Sequence, residues 1–261
     1  MTRTMTRTMT RERAIALTRI GCIAGFVLLL EAACRLHLID PLTLIPPSEM
    51  IATLGTMLAS GEIAGDIART FSTVATALVL SVAIGFCLGI AIHALPRLRR
   101  GLDPLLASYY SIPTFVFYPL FVAIFGLNSA PLIVLGMAFG VPAMILSTLN
   151  GLDRVPRVLV RAAKAHRLGR LSTLVHVVMP SALPYLLTGV KLALAYAFIG
   201  IIAGEFILAD AGLGHAIAYA YDGFENRTMY ALMLFVLVVV TGLNMTLHAW
   251  EGRVMRRRVR S

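Results

Sequence analysis

Apolar runs of about 20 residues recur along this chain, and no other feature constrains its fold as strongly. A helix rises about 1.5 Å per residue, so a run of that length crosses the roughly 30 Å hydrocarbon core of a bilayer. In lipid, every backbone N–H and C=O must find its partner inside the protein, which leaves helices or a closed barrel. The runs are continuous and lack the period-two alternation of barrel strands, so helices are predicted. Spans are read at 17–38, 71–95, 105–125, 130–150, 183–208 and 229–250. The expected fold class is all-α: a polytopic membrane protein of about six transmembrane helices with a cytoplasmic loop between the fourth and fifth. Hydrophobic residues make up 58% of the 261, above the roughly 45–50% of a soluble domain.

The net charge of +10 could suggest a nucleic-acid binder, but its distribution argues for topology. With the N-terminus in the cytosol, most of the 23 basic residues fall on one side of the membrane. These are Arg3, Arg7, Arg11, Arg13 and Arg19; Arg97, Arg99 and Arg100; Arg154, Arg157, Arg161, Lys164, Arg167 and Arg170; and Arg253, Arg256, Arg257, Arg258 and Arg260. Only Arg69 and Arg227 fall in or beside outside loops, and Arg35 and Lys191 lie within spans. This is the positive-inside asymmetry of a multi-pass membrane protein, with both termini cytosolic and lipid rather than nucleic acid as its surroundings. Residues 1–16 read as a basic cytosolic tail, irregular over its TRTM repeat, 17–250 as the membrane domain and 251–261 as a second basic tail. A retained first span is expected at the N-terminus. Glu31 stands where a lipoprotein signal would want an apolar residue before Cys34.

Catalytic and cofactor chemistry has no foothold in the sequence. Cys22, Cys34 and Cys87 all lie in apolar spans and form no C-x-x-C pair. The six histidines make no metal-binding spacing, so neither a metal nor another cofactor is expected. No G-x-x-x-x-G-K-[ST] loop is present, so the chain should not bind ATP by itself, and no G-x-S-x-G nucleophile elbow suggests a hydrolase. The expectation is a non-enzyme.

Small residues four apart mark faces where helices can approach closely: Gly85 and Gly89, Gly136 and Gly140, Gly200 and Gly204. Such faces serve either packing or a pathway. Pro113 and Pro119 interrupt the third span and Pro142 the fourth, so kinks are expected there. Glu31 and Arg35 can pair at i,i+4. Lys191 sits near the cytosolic start of span five, where it can snorkel, and Glu205 near its outer end. An intramembrane carboxylate faces protein or water, so Glu205 is a candidate for either the pathway or a structural partnership. Pro113, Pro119, Lys191, Gly200, Gly204 and Glu205 form the candidate pathway-or-packing set. In the first outside loop, 39–70, Pro41, Pro46 and Pro47 precede an amphipathic stretch for which Ser48 is a candidate N-cap and Ser60-Gly61 the stop.

Between spans four and five lies a basic, partly amphipathic insert, 151–180, GLDRVPRVLVRAAKAHRLGRLSTLVHVVMP. Held between membrane spans on the cytosolic side, it reads as a docking element. It resembles the cytoplasmic coupling loop of the permeases of ABC importers. Their pattern runs Glu-Ala-Ala, a glycine six positions after the glutamate, then an apolar stretch ending in Leu-Pro. Here the frame is Arg161-Ala162-Ala163, with Val177-Val178-Met179-Pro180 at the far end and no gap. Two positions depart, since Arg161 replaces the glutamate and Arg167 the glycine. A left-handed conformation is disfavoured at arginine, so Gly169 is a candidate for the break between two short helices.

Further segments resemble the nitrate, alkanesulfonate and taurine subgroup of these permeases. They are Ile45-Pro46-Pro47-Ser48, Ser60-Gly61-Glu62, Ile112-Pro113-Thr114, Tyr118-Pro119-Leu120, Phe125-Gly126, Leu183-Pro184, Thr188–Leu194, Glu205 and Gly212-Leu213-Gly214. The resemblance implies the membrane subunit of an ATP-driven importer of a small anion, acting with a second, identical permease subunit. It also implies an ATP-binding subunit, contacted through Arg161, Ala162, Ala163, Arg167, Gly169 and Pro180, and a periplasmic or lipid-anchored solute-binding protein. Related permeases also serve heterocycles such as thiamine-precursor pyrimidines. An ion-coupled secondary transporter is the rival of a different class, and it would normally show more spans and internal repeats.

Overall fold

The computed structural model describes residues 2–40 and 43–259, with side chains for 17–19, 21–40, 43–109, 111–169 and 171–253. Pro41 and Arg260 lie outside the described residues, as do the side chains of Arg3, Arg7, Arg11, Arg13, Arg170, Arg256, Arg257 and Arg258. All regular structure among the described residues is helical. Five of these helices have membrane-crossing stretches: Leu17–Arg35, Ala64–Ala94, Ser129–Asp153, Leu171–Leu208 and Asn226–Arg253. The expected third span is not one helix. Residues 96–125 form α4 (Pro96–Ser108), two 3-10 turns (Tyr109–Ser111 and Thr114–Phe117) and the short α5 (Tyr118–Phe125). Pro113 stands between the two turns and Pro119 in the first turn of α5. Proline lacks an N–H and disfavours helical geometry in the residue before it, so the chain breaks at Ile112 and restarts with Pro119 where its missing donor does no harm.

The chain divides into two compact units. The first comprises residues up to Glu62 together with Tyr219–Phe235. Its α1 (Thr2–Arg35) is helical from Thr2, so the TRTM repeat continues the helix rather than forming the irregular tail expected. Glu31 and Arg35 pair at 2.5 Å, as the spacing predicted. The same carboxylate accepts the Ser48 hydroxyl at 2.7 Å and the Ser48 backbone N–H at 3.0 Å. Ser48 is therefore not the N-cap of α2 (Pro47–Ser60). Pro46 holds that place without a side-chain bond, and Ser48 ties α2 to α1. Gly61, left-handed at φ 74°, ends α2 at the expected stop.

The second unit comprises Ile63–Ala218 and the chain from Val236. Its core is α3 (Ala64–Ala94), α6 (Ser129–Asp153) and α9 (Met179–Leu208). α3 starts at Ala64, several residues before the expected 71, and Asn128 caps α6 by accepting the Ala130 N–H at 2.7 Å. Glycines set how closely these helices approach. A Cβ added at Gly85 would lie 2.6 Å from Met144 Cβ, and one at Gly89 2.7 Å from Thr148 Cβ. Reciprocally, one at Gly136 would meet Ala77 Cβ at 2.9 Å and one at Gly140 Ser81 Oγ at 2.6 Å. Gly200 and Gly204 of α9 receive Phe139, Leu132 and Leu135 of α6 in the same way. Where lipid offers no hydrophobic drive, such close backbone contact holds helices together. All these faces pack within the chain.

Candidate functional site

Two polar arrangements stand out, one around the 151–180 insert and one where α9 meets the chain leading to α10 (Leu213–Asp222). In the first, α7 (Arg157–Ala165) follows α6 after a short turn. α8 (Arg170–Thr173) and a π-helical turn (Leu174–Val178) then run directly into α9. The apolar helix thus begins at Leu171, well before the expected 183, and the far half of the insert is the first part of span five.

The N-terminal flank of α7 is tied down. Asp153, the last residue of α6, receives a two-pronged bond from the Arg99 guanidinium of α4, and His93 Nδ1 of α3 lies 3.3 Å from the same carboxylate. The hydrogen bond to Asp153 pushes the Arg99 guanidinium above its usual range, so it stays charged at any working pH. Next to it, Arg154 lies over the Tyr185 ring of α9 at 5.3 Å and donates to its hydroxyl at 3.3 Å. Sequence reasoning missed Arg99, Asp153 and Tyr185, because nothing in their spacing announces that distant segments converge.

α7 ends in a Schellman turn. The Leu168 N–H donates to the Ala163 carbonyl and the Arg167 N–H to that of Lys164. That turn needs a left-handed residue, and Arg167 supplies it at φ 55°. The break therefore falls where the permease pattern has its glycine, not at Gly169, because the hydrogen bonds fix the position. Ala163 is 3% exposed and faces the chain itself, whereas Ala162 is exposed. Of the two alanines expected at a partner groove, only Ala162 is free to enter one. Arg161 and Gly169 are exposed and Pro180 is half-buried.

The second arrangement centres on Glu205, which is 0% exposed. The Thr70 hydroxyl of α3 is 2.9 Å from both carboxylate oxygens, and the Gly214 N–H donates to one of them at 2.9 Å. Thr70 Oγ1 also accepts the Leu213 N–H at 2.9 Å, and Asp66 accepts that of Gly212 at 2.8 Å. Arg69 pairs with Asp210 alongside. The amides opening α10 are thus capped by three side chains, two from α3 and one from α9, and a carboxylate there is favoured by the helix dipole. Both glycines are required. A Cβ at Gly212 (φ 114°) would fall 2.5 Å from the Glu205 carboxyl, and one at Gly214 2.5 Å from the Ile202 carbonyl. Glu205 is therefore a structural tie whose partner is Thr70. Lys191 pairs with Glu251 near the end of the last helix rather than reaching alone for the interface. Among the described residues no His, Cys, Asp or Glu cluster is placed to hold a metal ion.

Residues 81–260 match the family described as binding-protein-dependent transport system inner membrane component. The chain belongs to this family. It is 28% identical to the taurine transport system permease protein TauC of Escherichia coli, over 90% of this chain and 87% of TauC. It is 27% identical to the putative aliphatic sulfonates transport permease protein SsuC of Bacillus subtilis, over 76% and 72% of the two chains. With the nitrate import permease protein NrtB of Synechococcus elongatus the identity is 25%, over 73% and 69%. A solved inward-facing structure of the MetNI methionine ABC transporter shares the fold, with TM-score 0.57 and 21% identity over 75% of this chain and 97% of that one. The chain is a multi-pass permease subunit of the ABC importer type.

Proposed function

We infer that this permease works as one of two identical membrane subunits of an ATP-driven importer for a small oxyanion such as nitrate, taurine or an alkanesulfonate. The relatives named for those solutes support the substrate class by family analogy. ATP hydrolysis belongs to a separate subunit that receives α7 in a groove, a helix-in-groove contact. A binding protein delivers the solute from the outside, and both termini face the cytosol.

The observation that carries this reading is the mounting of α7. Its outer side is exposed, while its N-terminal flank is held by Asp153 to α4 and by Arg154 to α9. A push on α7 is thereby delivered to the helices that pack against α6. Uptake by a deletion strain, with and without the gene, tests the reading on taurine, an alkanesulfonate, nitrate and a thiamine-precursor pyrimidine. ATP-dependent rescue of an anion's uptake is expected. Rescue of pyrimidine uptake alone overturns the anion assignment, and rescue that follows an ion gradient without ATP overturns the importer class.

A further inference from the structure

We propose that the surface meeting α7 is an acidic groove on the ATP-binding subunit, charge-matched to Arg157, Arg161, Lys164 and Arg167. The proposal rests on the docking reading above and specifies its chemistry. Spacings of four and three place Arg157, Arg161 and Lys164 on one stripe of α7, and Arg167 follows at the turn. All four side chains are exposed, and none is in an ion pair among the described residues. In the same unit Arg69, Arg99 and Lys191 do have carboxylates, in Asp210, Asp153 and Glu251, whereas no run of four basic residues as close as these is left without one elsewhere among the described side chains. The sequence holds no Asp or Glu between Asp153 and Glu205, so no carboxylate close in sequence serves the stripe.

Arg167 adds an independent observation. Its left-handed backbone is one that glycine adopts without strain and arginine does not. Strain of this kind points to a use for the side chain that strains it. No partner within the described chain provides that use, so the guanidinium is read as reaching outward.

A lipid surface fits less well. An interfacial helix buries an apolar face opposite its basic one. On α7 that opposite side is only partly available: Ala163 is buried against the chain, and Leu159 beside it is the one long apolar side chain left exposed there. What remains exposed is a short apolar strip of Val158, Leu159, Ala162 and Ala165. A short apolar strip edged by charge suits a protein groove with a polar rim.

The full-length chain in nanodiscs, titrated with its ATP-binding subunit, tests the proposal. Discs of phosphatidylcholine alone and discs containing phosphatidylglycerol are compared, at about 50 and about 300 mM KCl. Wild type is expected to bind in both discs and to weaken with salt. Arg161→Glu should weaken binding at least about tenfold, about 1.4 kcal/mol, and flatten the salt dependence, with Arg161→Gln in between. Arg167→Gly should weaken binding although it relieves the backbone, a direction that a purely structural role would reverse. Ala162→Trp, which adds bulk without charge, separates the outcomes. If Ala162→Trp abolishes binding while the arginine variants bind like wild type, docking stands and the acidic groove is wrong. Should all variants bind like wild type, the docking reading falls too. An effect of the arginine variants confined to phosphatidylglycerol discs assigns the stripe to lipid and overturns the proposal.

Discussion

Thr70→Val is the sharpest probe of the capping site at α10. Valine has the shape of threonine, so no cavity opens, and the change removes one oxygen from a site that is 0% exposed. That oxygen serves two neighbours, donating its proton to the Glu205 carboxylate and accepting the Leu213 N–H, each at 2.9 Å. A hydrogen bond to a charged group contributes about 1.5–3 kcal/mol, and a buried N–H left without an acceptor costs about 1–3 kcal/mol. Together they predict a loss of about 2.5–6 kcal/mol. At roughly 2–4 °C per kcal/mol for a chain of this size, the thermal midpoint of the detergent-solubilised protein should fall by about 5–24 °C. Heating followed by size-exclusion chromatography reads this directly. Thr70→Ser keeps the hydroxyl and should stay within about 1 kcal/mol of wild type. In a double-mutant cycle, Thr70→Val and Glu205→Gln should be strongly non-additive, because both act on one network. A shift of under about 2 °C, or additivity of the two changes, would refute the view that Thr70 and Glu205 form one tie.

Three further outcomes are expected. Arg167→Gly should stabilise the turn after α7 by about 1 kcal/mol, the relief of the left-handed cost less the added freedom of the unfolded chain. Hydrogen exchange at the Leu168 amide should slow roughly fivefold, and faster exchange would contradict the Schellman assignment. Gly214→Ala should prevent normal folding, because its Cβ would sit 2.5 Å from the Ile202 carbonyl oxygen and 2.6 Å from Glu205 Cβ; wild-type yield and midpoint of this variant would show that α10 starts elsewhere. Single cysteines placed within 156–176 of a chain freed of Cys22, Cys34 and Cys87 should be labelled only from the cytosolic side, and labelling from outside would sink the topology and the docking reading together.

The sequence by itself determined the class of the fold and the place of its key segments. Apolar runs too long for anything but spans, basic residues concentrated in alternate connections, and a basic insert before Pro180 follow from the energetics of lipid and need no neighbour to define them. Proline likewise acts locally, so the interruption of the third span was legible at Pro113 and Pro119, although not its extent. What only the tertiary structure decided are the pairings. Ser48 reads locally as a helix cap but serves Glu31. Glu205 reads as a lone intramembrane charge but is held by Thr70 from another helix. Ala162 and Ala163 are indistinguishable in sequence, yet one is exposed and the other buried. Arg167 reads as a poor left-handed residue, yet the bonds from Arg167 to Lys164 and from Leu168 to Ala163 place the turn there rather than at Gly169. For Ser48 and Glu205 the outcome depends on which backbone or side-chain group stands within about 3 Å in space. That is set by how helices distant in sequence pack, and hydropathy along the chain does not encode it.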